Sequence, residues 1–114
     1  MVKRSEELLG HILDSILLVE SYLKGVRKES FSRNSELQDA VIRRIAIIGE
    51  AAHALPADVK GLSPEVPWEE AIAMRNILIH EYFGVSTNIV WDTAKRDLPA
   101  LKRSVKKTLK KLER

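Results

Sequence analysis

The first apolar pattern along the chain is a pair of rows that repeat every seven residues, between about Arg4 and Lys28. One row holds Leu9, Ile16 and Leu23, and the other holds Ile12, Val19 and Val26. Repeats of this kind place apolar side chains on one stripe of a helix that packs against partner helices. The pattern therefore predicts a long first helix, and four more leucines widen its apolar face: Leu8, Leu13, Leu17 and Leu18.

A second helix is predicted from about Ser35 to Ala54, with Asn34 or Ser35 as its N-cap. Its inner face is predicted from apolar residues at helical spacing: Leu37, Val41, Ile45, Ile48, Ala52 and Leu55. Within a helix, a glycine such as Gly49 costs about 1 kcal/mol relative to alanine, so we expect another helix to approach closely there. Arg43 and Glu50 share a face and are interpreted as ordinary surface charges, with a place near a functional cleft as the alternative.

The stretch from residue 55 to residue 67 is rich in helix-breaking residues: Pro56, Gly61, Pro64 and Pro67. We predict a connecting loop here, with one short helical turn at Ser63–Glu65. The chain on either side is too short to form a core alone, so residues 1–114 are predicted to be one domain. The next helix is predicted to begin near Pro67 or Trp68 and to end at Gly84, in the left-handed conformation.

Two more helices are predicted after Gly84. The first is capped by Ser86 or Thr87 and runs to about residue 96. Pro99 cannot continue a helix without a kink, so a break is predicted at Asp97–Leu98. The last helix then runs to about Leu112. The predicted fold class is all-α, an up-and-down bundle of about five helices.

An unusual set of polar side chains lies near the end of the helix that begins at Trp68. Arg75, Asn76, His80 and Tyr82 fall within eight residues. Arginine makes planar, bidentate contacts to phosphate, and histidine is the side chain that transfers protons near neutrality. An anion clamp beside a proton-transfer group is what phosphoryl chemistry requires. A chance spacing in an ordinary helix is the alternative interpretation.

Arg75 and His80 are five residues apart, so on an ideal helix their directions differ by about 140°. They cannot both face one small ligand as a simple helical pair. Either the helix ends or distorts near Ile79, or a second copy of the same surface completes the site. The second alternative predicts a homodimer.

The formal net charge of +3 hides an asymmetry along the chain. Residues 102–114 carry seven basic residues and one acidic residue, a local charge of +6, whereas residues 1–101 carry −3. Such a basic segment can attract polyanions such as RNA. A solvated helix face that keeps the protein soluble is the default interpretation.

Composition excludes several classes of site. The chain has no cysteine, which excludes disulfides and thiolate sites. The sequence shows no metal-ligand cluster and no glycine-rich phosphate loop, so we expect neither a metal nor another cofactor. His11 is interpreted as an edge residue and His53 as a surface residue. Asp14 and Ser15 interrupt the richest apolar run and no signal peptide is visible, so a cytoplasmic protein without a membrane segment is expected.

The motif Arg75-Asn76-x-x-x-His80-x-Tyr82 in an all-helical chain resembles the HEPN superfamily. The closer resemblance is to its HepT branch, small toxins encoded beside minimal nucleotidyltransferases. The match extends over nearly the whole chain through further segments: Ile47–Ala52, Trp68, Arg75–Phe83, Ile89–Trp91 and Asp97–Pro99. The resemblance implies a dimeric helical bundle with the two motifs facing a shared cleft, and it leaves a larger hetero-oligomer with the partner open.

The resemblance also implies a metal-independent endoribonuclease with an RNA substrate. The RNA 2′-hydroxyl would attack the adjacent phosphorus, with His80 as general base or acid and Arg75 stabilising the charge on the phosphoryl oxygens. Each chain offers one motif histidine, so two symmetry-related His80 residues could divide the two roles. Asn76 would orient His80 or hydrogen-bond the phosphate.

Tyr82 has a separate implied role, in control. In similar proteins the cognate minimal nucleotidyltransferase is the antitoxin of a type VII-like toxin–antitoxin pair, and it silences the toxin by AMP transfer to the motif tyrosine. For Tyr82 the alternative is an aromatic packing residue at a helix end. Occlusion of the site by the partner is the alternative to modification.

Two other functions compete with the enzyme. A non-catalytic nucleotide-binding partner subunit of a minimal nucleotidyltransferase would bind nucleotide through Arg75 and His80, but a pure scaffold has no need of the histidine. A structural helical-bundle adaptor explains the apolar periodicities and leaves the stretch from Arg75 to Tyr82 without a role. The intact motif therefore favours the enzyme.

Overall fold

The structure, a computed structural model, describes residues 2–80 and 86–113, with side chains for residues 3–76 and 86–113. This part of the chain is helical and contains no strand, which confirms the predicted all-α class. None of its helices is long and apolar enough to cross a lipid bilayer. The elements are α1 (Val2–Leu23), α2 (Lys28–Phe31), α3 (Ser35–Ala54), α4 (Ala57–Lys60), α5 (Trp68–His80), α6 (Thr87–Asp92), a π-helical segment (Thr93–Asp97) and α7 (Leu98–Leu112).

Helices α1 and α3 form the centre of the bundle. α3 packs against both α1 and α5, and α7 packs against α1. The predicted apolar rows of α1 point into this core, and their members are at most 2% exposed from Leu9 to Leu23: Leu9, Ile12, Ile16, Val19 and Leu23. Full burial of one such side chain contributes about 1.5–3 kcal/mol, so these rows anchor α1 to its neighbours.

Helix α1 ends at Leu23, earlier than the predicted end near Lys28. Gly25 has a φ of 74°, in the left-handed region that glycine adopts without steric cost and that a helix cannot contain. The chain turns there, and Lys28 begins the separate helix α2. Apolar spacing alone missed this end because Val26 continues the row past the turn and is half-buried.

Helix α3 has the predicted bounds. Asn34 is its N-cap, and its Oδ1 accepts a hydrogen bond of 3.1 Å from the N–H of Leu37. The predicted inner face is buried or half-buried along its whole length: Leu37, Val41, Ile45, Ile48, Ala52 and Leu55.

The loop between α3 and α5 contains a short helix, but the predicted position at Ser63–Glu65 is wrong. Helix α4 begins directly after Pro56, whose carbonyl oxygen accepts hydrogen bonds from the N–H groups of Val59 and Lys60. Val59 is 6% exposed, so α4 also closes the core from this side. Pro64 and Glu65 form a single turn instead, closed by a hydrogen bond of 3.1 Å from the N–H of Val66 to the carbonyl oxygen of Ser63.

Trp68 fixes the start of α5 to this loop. Its indole N–H lies 3.2 Å from two carbonyl oxygens, those of Lys60 and Ser63, and the residue is 6% exposed. The hydroxyl of Ser63 hydrogen-bonds the hydroxyl of Thr108, a buried residue of α7. These contacts confirm the predicted start of α5. Its predicted end at Gly84 lies outside the described residues.

Helices α6 and α7 are joined by a π-helical segment, so the predicted break at Asp97–Leu98 is wrong. The N–H of Leu98 donates to the carbonyl oxygen of Thr93, five residues earlier, which is the π pattern. In an α-helix the ring of Pro99 would clash with the carbonyl four residues before it. The wider turn accommodates the proline without ending the helix, and α7 ends at Leu112 as predicted.

Candidate active site

Arg75 lies at a close crossing of α3 and α5. A Cβ added to Gly49 would collide with the Cβ of Arg75 and would lie 2.8 Å from the carbonyl oxygen of Ala71. The glycine therefore lets α5 pack directly against the backbone of α3. The predicted close approach at Gly49 is confirmed, and it fixes the base of the Arg75 side chain.

The guanidinium of Arg75 is bound by two neighbouring side chains. Nε and Nη2 donate to Oε1 of Glu50 at 3.2 Å and 2.8 Å, and Nη1 donates to Oδ1 of Asn76 at 2.7 Å. A guanidinium has five N–H groups in one plane, so these contacts leave two for a ligand oxygen. With 28% of its side chain exposed, Arg75 is accessible from solvent.

Glu50 was interpreted as a surface charge, with a place near a functional cleft as the alternative, and its contact with Arg75 was not predicted. Glu50 and Arg43 do line one groove, as their shared face predicts. The carboxylate of Glu50 nevertheless binds Arg75 on the next helix. The available signal was its place beside Gly49, because a residue next to a close crossing can reach the opposite helix. Naming its partner required the register between α3 and α5.

His80 lies on the same helix as Arg75. α5 is α-helical up to and including His80, so it neither ends nor distorts before that residue. The backbone positions of Arg75 and His80 therefore differ by about 140° in direction around the helix axis. The side chain of His80 and the whole of Tyr82 lie outside the described residues. The structure brings together Arg75, Asn76 and Glu50.

A groove of about 770 Å³ between α1 and α3 leads to Glu50. Apolar residues form its floor, and residues of both charges form its rim: Leu8, Ile42, Ala46, Ile47 and Ala51 below, with Arg4, His11, Asp39, Arg43 and Glu50 above. Glu50 therefore borders the groove and also binds Arg75 on the neighbouring helix.

The chemistry offered by the described part of the site is anion binding. Arg75 is a permanent cation whose planar donors suit a phosphate or carboxylate. Within the ranges that the structure covers, no group of three or more His, Asp or Glu side chains is placed to hold a metal ion. His53 is exposed, as predicted for a surface residue, and His11, interpreted as an edge residue, is exposed beside the groove between α1 and α3.

Comparison with known proteins identifies close relatives over nearly the whole chain. The family model "Ribonuclease HepT-like" matches residues 12–108, which confirms the resemblance to the HepT branch. A "Probable ribonuclease HepT" from Thermococcus cleftensis is 43% identical over 110 residues, which are 96% of this chain and 100% of the relative. A "Putative RNase" from Caldanaerobacter subterraneus subsp. tengcongensis is 38% identical over 110 residues, 96% of this chain and 98% of the relative.

A third relative is a longer protein. The "Gamma-glutamylcyclotransferase and putative RNase" of Methanocaldococcus jannaschii is 44% identical over 106 residues, which are 93% of this chain. The chain spans 48% of the length of that relative. No solved structure matches the chain significantly.

Proposed function

Because this chain belongs to the ribonuclease HepT-like family, we propose that it is an endoribonuclease that cleaves RNA without a metal ion. The observation that carries the proposal is the position of the Arg75 guanidinium. Glu50 and Asn76 hold it by hydrogen bonds, and Arg75 lies on the same helix as His80. Free guanidinium donors on a helix with a histidine match the needs of phosphoryl transfer. The names of the relatives support the same activity.

In the proposed reaction the RNA 2′-oxygen forms a bond to the adjacent phosphorus, and the bond from phosphorus to the 5′-oxygen breaks. His80 of one protomer accepts the proton of the 2′-hydroxyl, and the partner subunit's His80 gives a proton to the departing 5′-oxygen. Arg75 stabilises the negative charge that builds on the nonbridging oxygens. The products carry a 2′,3′-cyclic phosphate and a 5′-hydroxyl.

The proposal includes a homodimer, because the reaction uses one acid and one base while each chain offers one motif histidine. The unbroken helix from Arg75 to His80 supports this arrangement, since the two directions differ by about 140°. A facing copy would place the histidine of one chain near the arginine of the other.

Asn76 has a positioning role in this reaction. Its Oδ1 accepts the hydrogen bond from Nη1 of Arg75, so the amide holds the guanidinium nitrogen that the carboxylate of Glu50 does not bind. The Nδ2 hydrogens of Asn76 then serve the substrate phosphate or orient His80.

We assign control of the enzyme to Tyr82. Its phenolic oxygen would attack the α-phosphorus of ATP bound to a partner nucleotidyltransferase, releasing pyrophosphate and leaving AMP on the tyrosine. On an ideal helix Arg75 and Tyr82 are seven residues apart and project in nearly the same direction. The attached phosphate would form charge-assisted hydrogen bonds with Arg75 and occupy the substrate position. The chain is then the toxin of a toxin–antitoxin pair.

The direct test is cleavage of RNA by the purified chain in excess EDTA. We expect products that end in a 2′,3′-cyclic phosphate, and losses of at least about 100-fold in Arg75→Ala and His80→Ala. Circular dichroism should show unchanged helix content in both variants. Arg33→Ala, which removes an exposed arginine outside the site, is the matched control and should retain full activity.

Two outcomes of this test would overturn the proposal. Activity that disappears in EDTA and returns with added metal would exclude the metal-independent reaction. A wild-type chain that binds nucleotide and never cleaves RNA would favour the non-catalytic partner subunit instead.

A further inference from the structure

The outer surface of α7 carries a continuous set of cations. The exposed residues Arg103, Lys106, Lys107 and Lys110, here called the basic face, lie on the side of α7 opposite to its buried residues. On an ideal helix the four basic positions centre about 170° from the four buried ones. The two lysines that flank the face are engaged, because Lys102 binds Glu20 at 2.9 Å and Lys111 donates to the carbonyl oxygen of Leu62 at 2.6 Å.

The charges of the basic face have no balancing partner among the described residues. The salt bridges of this part of the chain join Arg75 to Glu50 and Lys102 to Glu20, and none involves the basic face. Like charges three or four residues apart on a helix destabilise it by about 0.2–0.5 kcal/mol per pair. Helix α1 avoids this cost by placing glutamates near its basic residues. The single sign of the basic face therefore carries a small cost to α7, which a bound polyanion would offset.

The composition of the basic face fits a nucleic-acid backbone better than a protein. Large exposed apolar residues occur elsewhere, at Leu17, Leu18, Leu62 and Ile89, and none is on the basic face. Protein interfaces are depleted in lysine and have an apolar centre. Phosphate contacts come from lysine and arginine, and three- or four-residue spacings set these cations about 4.5–6 Å apart along the helix.

The basic face points away from the helix that carries Arg75. The opposite side of α7 lines a small pocket, where Leu98 and Leu101 lie with Ile48 of α3 and Met74 of α5. An RNA that touches both the basic face and Arg75 must therefore extend around the molecule. A short RNA would reach one of the two.

We propose that the basic face binds the phosphate backbone of RNA, without reading its sequence, and holds long substrates outside the cleavage site. This inference rests on the proposed ribonuclease function for the identity of its polyanion. It assigns α7 a contribution to substrate affinity and none to the chemical step.

The test compares two variants that remove equal charge. The first is Arg103→Gln, Lys106→Gln, Lys107→Gln and Lys110→Gln together. The control neutralises four exposed cations between α1 and α3: Lys24, Arg27, Lys28 and Arg33. Both are made in a His80→Ala chain, and the binding of a fluorescent single-stranded RNA is followed by anisotropy at several salt concentrations. Circular dichroism and thermal unfolding check that both variants fold.

We expect the basic-face variant to bind RNA at least about tenfold more weakly at low salt. The slope of log affinity against log salt concentration should become less steep by up to about 3 units. The control should lose much less of both. In the active chain, the basic-face variant should raise KM for long RNA and leave kcat unchanged, and it should leave both constants unchanged for a trinucleotide.

Three results would overturn this inference. Equal losses in the two variants would show that only net charge matters, and no loss in either would show a solvated face. A polyglutamate peptide that binds the basic face as tightly as RNA would assign it to an acidic protein. Because binding is measured on an inactive chain, failure of cleavage by the wild type would remove the proposed function and leave the binding result readable.

Discussion

At the scale of single residues, Glu50 acts on Arg75 through orientation more than through stability. Their side chains are 58% and 28% exposed, and pairs of this kind contribute about 0–1 kcal/mol to folding. Two bonds to one carboxylate oxygen nevertheless fix the plane of the guanidinium. A displacement of about 1 Å at a reacting group can cost about 100-fold in rate, so this orientation has catalytic weight.

We predict that Glu50→Ala lowers kcat by about 10–100-fold while the free energy of unfolding changes by no more than about 1 kcal/mol. Glu50→Gln keeps an oxygen acceptor for Arg75 and should retain most of the rate. Asp39→Ala, which removes another carboxylate of the same groove, is the control and should leave kcat unchanged. Steady-state kinetics and thermal unfolding measure both effects. Equal kcat values for Glu50→Ala and Asp39→Ala would contradict a positioning role.

A second prediction at this scale concerns Tyr82. Co-expression with a partner nucleotidyltransferase should add one or more AMP units to the chain, and Tyr82→Phe should abolish the mass increase. Intact-mass spectrometry measures the change, and Tyr22→Phe is the control because it removes the other tyrosine. An unmodified chain recovered in a tight inhibitory complex would show that the partner works by occlusion.

At the scale of helices, the crossing of α3 and α5 depends on the missing side chain of Gly49. We predict that Gly49→Ala destabilises the protein, although alanine is the better helix former by about 1 kcal/mol. The new Cβ would meet the backbone carbonyl of Ala71 at 2.8 Å, which cannot rotate away as a flexible side chain can. Overpacking of this kind costs about 1–3 kcal/mol, and displacement of Arg75 from its carboxylate should also lower kcat.

Gly10 supplies the matched control for this prediction. It lies within α1, and a Cβ added there would meet nothing within 4 Å. Gly10→Ala should therefore stabilise the protein by about 0.4–1 kcal/mol and leave kcat unchanged. Chemical denaturation of both variants gives the two free energies. Stabilisation by Gly49→Ala would show that α3 and α5 can separate at no cost.

At the scale of the whole molecule, we predict a homodimer whose interface includes α5 and the stretch from Arg75 to Tyr82. The physical reason is the angle between Arg75 and His80 on one unbroken helix, which a second copy would reconcile. Sedimentation at micromolar concentration should show two chains. A monomer at this concentration would remove this basis for the mechanism.

The sequence predicts the long helices because burial of apolar rows dominates their stability. α1 and α3 bury the apolar rows that their spacing selects, although Leu17 and Leu18, predicted to widen the apolar face of α1, are 44% and 38% exposed. It missed the π-helical segment before Pro99, which depends on local hydrogen bonds. It also missed the contact between Glu50 and Arg75, because the spacing of residues along the sequence does not give the register between two packed helices. The sequence shows which residue types the motif contains, but it does not show which side chains bind Arg75 and hold it in place.

The hydrogen-bonded indole of Trp68 makes the molecule its own fluorescent reporter. The other tryptophan, Trp91, packs against Phe31 with ring centres 5.3 Å apart and the planes tilted by 47°. The sequence has two tryptophans, so Trp91→Phe leaves an emission that comes from Trp68 alone. A red shift in that emission reports water reaching the indole as its contacts with Lys60 and Ser63 open. Opening at the base of α5 can then be separated in time from the loss of helix that circular dichroism records.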